Sequence, residues 1–170
     1  MVYISLFAAL ITICSWISIP ATVPFTLQTM AVFLTVGLLG GKRGSCSVLL
    51  YILLGAFGIP VFSGFRGGIG VLLGTTGGYI IGFLFTALFM WVMEKFFGRK
   101  PVILAISMVV GLLVCYAFGT AWFMFVYLKN TGAVSLMTVL GWCVIPFIIP
   151  DAIKIVLAYI LTNVLKRFIY

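Results

Sequence analysis

Residues 102–128 have the sequence VILAISMVVGLLVCYAFGTAWFMFVYL, which contains no charged side chain. An α-helix rises ~1.5 Å per residue, so this stretch would extend ~40 Å as a helix and exceed a ~30 Å hydrocarbon core. Its apolar residues form a continuous run and do not alternate with polar ones, which favours a helix over a membrane strand. The stretch therefore predicts a membrane-spanning helix.

The remainder of the chain has the same character. Hydrophobic residues make up 65% of the 170 positions and charged residues 7%, against typical shares of ~45–50% and ~25%. This composition excludes a soluble enzyme domain, a disordered chain and a disulfide-stapled secreted module. We predict an all-α integral membrane protein in which residues 1–170 form one six-helix transmembrane domain. The other five predicted spans are residues 3–19, 26–39, 45–57, 78–97 and 150–168.

Two of these spans are short. Residues 26–39 and 45–57 would each form a helix of ~20 Å, less than the hydrocarbon thickness. Half-length helices in a membrane protein often border a cavity or an indented region. We therefore expect a cavity near these two segments.

The basic residues predict the orientation in the cell membrane. The chain carries a net charge of +8, with its basic residues in short gaps between apolar runs. They therefore indicate topology and contact with anionic lipid headgroups, and not nucleic-acid binding. With a cytoplasmic N-terminus, two outer positions, Arg66 and Lys129, are basic. Seven are then on the inner side: Lys42, Arg43, Lys95, Arg99, Lys100, Lys166 and Arg167. Both termini are therefore predicted to be cytoplasmic.

The three outer connections predict lids over a pocket that opens outward. Residues 20–25 carry no charge, residues 58–77 are glycine-rich, and residues 129–149 are long and largely apolar. Part of the third, about residues 135–144, is predicted to form a short helix in the membrane interface. Long outer loops with glycines can close over a bound molecule.

The most informative polar residues are Asp151 and Lys154, near the start of the last span. They are three positions apart and share a helix face. A charged residue within a span costs about 2.5–3.5 kcal/mol at its centre and commonly marks a ligand path. The alternative is structural: the helix dipole favours an anion in the first turn, and Lys154 neutralises Asp151.

Further candidates lie in the outer segments. Arg66 follows Phe62-Ser63-Gly64-Phe65 and precedes Gly67 and Gly68, so a guanidinium suited to a carboxylate stands among residues whose backbone can approach a ligand. Gly74-Thr75-Thr76-Gly77-Gly78-Tyr79 offers a similar backbone and an aromatic face. Gln28 would place an amide in the first turn of the second span. The respective alternatives are a surface charge, helix capping by Thr76 together with packing, and a helix–helix hydrogen bond. The candidate ligand-binding residues are Asp151, Lys154, Arg66, Tyr79, Gln28, Thr75 and Gly67.

Catalytic, metal and nucleotide sites are not expected. The chain has no histidine and only two acidic residues. Residues 37–43 (GLLGGKR) depart from the phosphate-loop spacing and lack its Ser or Thr, and Gly68-Ile69-Gly70 lacks the third glycine of a dinucleotide loop. The chain is therefore predicted to be no enzyme, to bind no cofactor and to obtain any ATP-derived energy from a partner.

The sequence resembles the BioY family, the biotin-specific substrate-capture (S) components of energy-coupling-factor transporters. The resemblance covers most of the chain. It rests on five motifs: Ile19-Pro20 with Val23-Pro24-Phe25-Thr26-Leu27-Gln28; Gly58-Ile59-Pro60-Val61-Phe62; Gly67-Gly68; Thr76-Gly77-Gly78-Tyr79; and Pro146-Phe147-Ile148-Ile149-Pro150-Asp151 with Lys154.

The resemblance implies a six-helix protein that binds biotin from outside and associates with a transmembrane coupling subunit and two ABC-type ATPases. It also implies a ligand role for Asp151 and Lys154, and more loosely for Arg66 and Tyr79. In two motifs the chain departs from the usual family pattern, with Thr75 where members often have Pro and Pro150 where they often have Gly.

Three other functions stay open on the sequence alone. The chain could capture another vitamin, such as riboflavin or thiamine, or act as a solitary ion-coupled carrier. A membrane enzyme has little support because so few catalytic groups are present.

Overall fold

The computed structural model of the chain describes residues 1–132 and 134–169, with side chains described up to residue 166. The fold is almost entirely helical, and each of the six predicted spans corresponds to a helix. The elements in chain order are α1 (Val2–Trp16), β1 (Ser18–Ile19), β2 (Phe25–Thr26), α2 (Gln28–Leu39), α3 (Gly41–Ala56), α4 (Ile69–Leu73), α5 (Gly77–Phe97), α6 (Pro101–Asn130), α7 (Leu136–Cys143), a 3₁₀ turn (Ile145–Phe147) and α8 (Ile148–Ile169).

Within the described residues, three segments are long and apolar enough to cross a membrane. They are Gly77–Phe97, Pro101–Asn130 and Leu136–Lys166, while α1 and α2 are shorter apolar helices. The predicted fold class, an all-α integral membrane protein, is confirmed. The short helix predicted near residues 135–144 is α7.

The first predicted span is too long at its C-terminal end. Helix α1 ends at Trp16, and the chain then forms a two-stranded antiparallel hairpin in which Ser18 pairs with Thr26 and Ile19 with Phe25. Pro20 lacks an N–H and biases the residue before it towards extended backbone, so Ile19 favours a strand over a last helical turn. Two-residue strands are too short to show a period in the sequence.

The third predicted span begins too late. Helix α3 starts at Gly41, directly after the single linking residue Gly40, whose φ of 81° lies in the left-handed region. A Cβ at Gly41 would overlap Trp91 of α5, so glycine lets the turn approach the neighbouring helix. As a result, the two basic residues that follow are part of α3.

The close contact between α5 and α6 places the start of α5. A Cβ at Gly78 would overlap Trp122, and one at Gly119 would overlap the ring of Tyr79. Small residues at such crossings allow helix backbones to come together in a membrane. The contact fixes Tyr79 against α6.

The two chain ends lie at the same end of the bundle. Leu165 near the end of α8 packs against Phe7 of α1 together with Leu34, Leu38 and Leu39 of α2. The opposite end carries the β1–β2 hairpin and the loop between α3 and α4, because Ser15 of α1 donates a hydrogen bond to the carbonyl oxygen of Val61 (2.5 Å). The basic inner segments therefore lie at the terminal end, and the predicted outer loops lie at the other.

Candidate functional site

A cavity of about 490 Å³ lies at the end of the bundle that carries the predicted outer loops. The starts of α2, α5 and α8 and the middle of α6 form its walls. The segments that cover it come from the loop after β1, the loop between α3 and α4, and the residues before α5. The predicted arrangement of loops over a pocket is therefore present.

Asp151 and Lys154 form a buried ion pair that lines this cavity. The Lys154 Nζ lies 2.7 Å from Asp151 Oδ1, and the two residues are 4% and 3% exposed. Their i, i+3 spacing on α8 brings the groups together, as predicted. The pair thus satisfies itself in part and also faces a space large enough for a small molecule.

Tyr116 of α6 is a partner of this pair that the sequence did not reveal. Its hydroxyl donates a hydrogen bond to Asp151 Oδ2 at 2.5 Å, and the residue lines the cavity. The only sequence signal was a phenol within a buried apolar run, where its O–H needs a partner. Both oxygens of the Asp151 carboxylate are therefore held, one from α8 and one from α6.

Lys154 has a second contact, with an aromatic ring. Its Nζ lies 4.1 Å from the ring centroid of Phe25 in β2, a cation–π distance. The Phe25 ring in turn stacks on Phe147, with the centroids 5.8 Å apart. The hairpin and the turn before α8 are thus packed behind the ammonium group.

Arg66 stands in a tight turn above the cavity. Backbone hydrogen bonds join Phe62 and Arg66 in both directions, at 2.9 and 3.3 Å, and Phe65 between them has a positive φ of 56°. The turn is anchored on α1, because the Trp16 ring stacks on Phe65 at 5.0 Å and its Nε1 donates to the Pro60 carbonyl at 2.9 Å. Arg66 lines the cavity, and its guanidinium makes no hydrogen bond or ion pair with any other residue that the structure describes.

Gln28 and Tyr79 line the cavity from two sides. The Gln28 side-chain NH₂ donates to the hydroxyl of buried Tyr51 at 2.9 Å, and Gln28 is one of the residues that line the cavity. The Tyr79 hydroxyl is 3.2 Å from the Thr120 side-chain oxygen. Each of these hydrogen bonds joins two helices, which is the structural alternative considered for these residues. Each side chain also forms part of the cavity wall.

The last two candidates differ in position. Thr75 lines the cavity, whereas Gly67 is not among the residues that line it. A Cβ at Gly67 would overlap the backbone of Ile59, so this glycine allows the loop to fold against itself. The structure therefore brings six of the seven predicted residues to one cavity, and their part in binding stays a prediction.

The site combines charge with an apolar lining. Its charged members are Asp151, Lys154 and Arg66, and further polar groups come from Thr26, Thr29, Ser63 and Thr76. The apolar wall is made by Val71, Ile80, Phe83, Leu112 and Phe147. Within residues 1–132 and 134–169, no three Asp, Glu, Cys or His side chains come together to hold a metal ion. The arrangement suits an organic molecule with polar ends and an apolar middle.

Comparison with known proteins places this geometry in context. A sequence model of the BioY family matches residues 1–170. The chain is 40% identical over 163 residues to the biotin transporter BioY of Thermotoga maritima, covering 95% of this chain and 92% of that protein. It is 40% identical over 164 residues to a probable biotin transporter BioY of Pyrococcus horikoshii, with 96% and 93% covered.

A solved structure gives the same result for the fold. The chain superimposes with a TM-score of 0.86 on a crystal structure of the S-component for biotin from an ECF-type ABC transporter. The sequence identity is 29%, and the alignment covers 98% of this chain and 89% of the other.

Proposed function

This chain belongs to the BioY family, and we propose that it is the S component that captures biotin for an energy-coupling-factor transporter in the cell membrane. It binds biotin in the cavity at the outer end of the bundle and performs no chemistry on it. The observation that carries the proposal is the buried Asp151–Lys154 pair, which faces a cavity of about 490 Å³. Ionisable residues within a membrane span commonly mark a ligand path, and this pair borders a cavity although its charges neutralise each other.

The ureido ring of biotin has two N–H donors and one carbonyl acceptor. A carboxylate has about four lone-pair positions, and in Asp151 the contacts with Tyr116 and Lys154 occupy two of them. The remaining positions accept from one of the two ureido N–H groups. The amide oxygen of Gln28 is a second acceptor on the same cavity wall.

The valerate carboxylate needs a cation, and the structure favours Arg66 over Lys154. The ammonium group of Lys154 is engaged with Asp151 and with the Phe25 ring. The guanidinium of Arg66 has no such engagement with the described part of the chain. A guanidinium can bind a carboxylate through two parallel hydrogen bonds, so Arg66 pairs with the valerate and its turn closes over the bound molecule.

Transport then requires partners. They are a transmembrane coupling subunit and two ABC-type ATPases, which hydrolyse ATP, while this chain binds neither nucleotide nor metal. Such an assembly uses the energy of ATP hydrolysis to open the cavity towards the cytoplasm, where biotin is released.

Binding to the purified chain in detergent tests the proposal. We expect calorimetry to detect biotin binding to the wild type, and Asp151→Asn, Lys154→Ala and Arg66→Gln each to weaken it by about 10- to 100-fold, as expected for hydrogen bonds to charged groups. Lys129→Gln is a matched control, because this outer cation is exposed and does not line the cavity. Unchanged affinity in both Asp151→Asn and Lys154→Ala would remove the pair from the site.

Two further measurements define the ligand. Arg66→Gln should abolish the preference for biotin over biotin amide, whereas the wild type should prefer the acid. Competition with riboflavin and thiamine separates biotin from the alternative vitamins. Displacement of bound biotin by either vitamin at equal concentration would contradict the assignment.

A further inference from the structure

The Asp151 carboxylate is held by two helices, one at each oxygen. Lys154 belongs to the same helix as Asp151 and holds Oδ1, while Tyr116 reaches Oδ2 from α6. We infer that Tyr116 is a positioning residue for biotin capture, which fixes the plane of this carboxylate so that its free lone pairs meet one of the two ureido N–H groups. The inference rests on the proposed function.

The torsion that rotates a carboxylate has broad, roughly two-fold minima, so the side chain alone does not define the plane. Lys154 cannot define it, because its ammonium group is on a flexible four-carbon stem and can follow the carboxylate. Tyr116 is different: its phenol is rigid, with two side-chain torsions, and it is anchored on another helix. A 2.5 Å hydrogen bond from α6 therefore ties the carboxylate plane to the cavity wall.

Loss of this bond changes the orientation of Asp151 without removing its charge. Asp151 is 3% exposed, so an Oδ2 without its donor would seek another one. The ammonium group of Lys154, already bonded to Oδ1, can supply that donor. In Tyr116→Phe the carboxylate would rotate to share both oxygens with Lys154 and turn its lone pairs away from the ligand.

We expect Tyr116→Phe to weaken biotin binding about tenfold, the lower end of the loss expected for a hydrogen bond to a charged group. The decisive readout uses two biotin analogues in which one or the other ureido nitrogen is methylated. One analogue lacks the N–H that Asp151 accepts, and for it Tyr116→Phe should change the affinity by less than twofold. The other analogue should lose about tenfold, as biotin does.

A purely structural role predicts a different pattern, in which Tyr116→Phe lowers the affinity for biotin and both analogues equally. This result would overturn the inference. A direct bond between the Tyr116 hydroxyl and biotin predicts that the tenfold loss persists in an Asp151→Asn background, and this result would also overturn it. In that background we expect Tyr116→Phe to have less than a twofold effect.

Two controls are available: another tyrosine of α6, and the comparison of ligands within each variant. Tyr127 of α6 does not line the cavity, so Tyr127→Phe should bind biotin as the wild type does. Because analogue and biotin affinities are compared within each variant, a general loss of active protein cancels, and thermal unfolding without biotin checks the fold. Failure of the wild type to bind biotin would refute the proposed function. Normal binding in Tyr116→Phe alone would refute only this inference.

Discussion

Replacement of Lys154 by Met separates the electrostatic role of the buried pair from its ligand role. Methionine keeps an unbranched apolar chain of similar length but removes the ammonium group 2.7 Å from Asp151. Asp151 is 3% exposed and would keep one donor, Tyr116. Removal of one partner of a buried ion pair costs about 3–5 kcal/mol, because the other charge stays buried without compensation.

The double variant Asp151→Asn/Lys154→Met removes both charges and should recover most of this loss, since a buried pair replaced by neutral groups is often close to neutral in stability. The measurement is the free energy of unfolding in mixed micelles, by titration with a denaturing detergent. We expect Lys154→Met to be less stable than the double variant by about 2 kcal/mol or more. Biotin affinity should stay at least tenfold weaker in both.

Two results would refute this reasoning. A loss below about 1 kcal/mol in Lys154→Met would mean that Asp151 does not depend on its partner. Wild-type biotin affinity in the double variant would mean that the pair is only a structural neutralisation. If the double variant recovers its stability but not its affinity for biotin, the ion pair takes part in ligand binding.

Three further variants test the surroundings of the cavity. Gly119→Ala places a methyl group against the Tyr79 ring, and we expect the free energy of unfolding to fall by about 1–3 kcal/mol and biotin binding to weaken. Glu94→Gln weakens the acceptor for the Gly41 N–H at the start of α3, and unfolding titrations should show a loss of about 1 kcal/mol. Trp16→Phe should remove most of the tryptophan fluorescence change on biotin binding, because Trp16 contacts the turn that carries Arg66.

Matched substitutions give the controls for these three. Gly141→Ala adds a methyl group where no atom lies within 4 Å, so stability should not fall. Lys95→Gln, also near the end of α5, should leave the stability unchanged within about 0.5 kcal/mol, as for an ordinary surface position. Trp91→Phe, on the inner half of α5, should keep the fluorescence change. A stable Gly119→Ala, a neutral Glu94→Gln or an unaltered signal in Trp16→Phe would each contradict the contact concerned.

The sequence predicted the parts of the fold and the site that depend on composition along the chain. The six helices follow from apolar runs that contain few charges, because a bilayer admits few other structures. Asp151 and Lys154 were identifiable because a charge inside such a run is costly and therefore conspicuous. Arg66 was identifiable for a similar reason, as a single cation in a glycine-rich outer segment.

The parts that depend on pairing between distant segments could not be predicted. Tyr116 is one aromatic residue in a run of apolar ones, and its partner lies 35 positions away on another helix. The contact of Phe25 with Lys154 depends on the β1–β2 hairpin, which is too short to leave a pattern. Gly67 illustrates the converse: a glycine indicates that a backbone must approach something closely, but not whether that is a ligand or, as here, its own loop.

The unequal lengths of the helices have a consequence for the surrounding lipid. Helix α6, with 30 residues, is ~45 Å long, whereas α2, with 12 residues, is ~18 Å. All residues of α2 except Met30 are buried, so this short helix is enclosed by its neighbours and has little contact with lipid. Hydrophobic mismatch therefore acts on α6, which can tilt. Changing the acyl-chain length of the membrane lipids should thus alter the tilt of α6. The enclosed helix α2, which begins at Gln28, should keep its place beside the cavity.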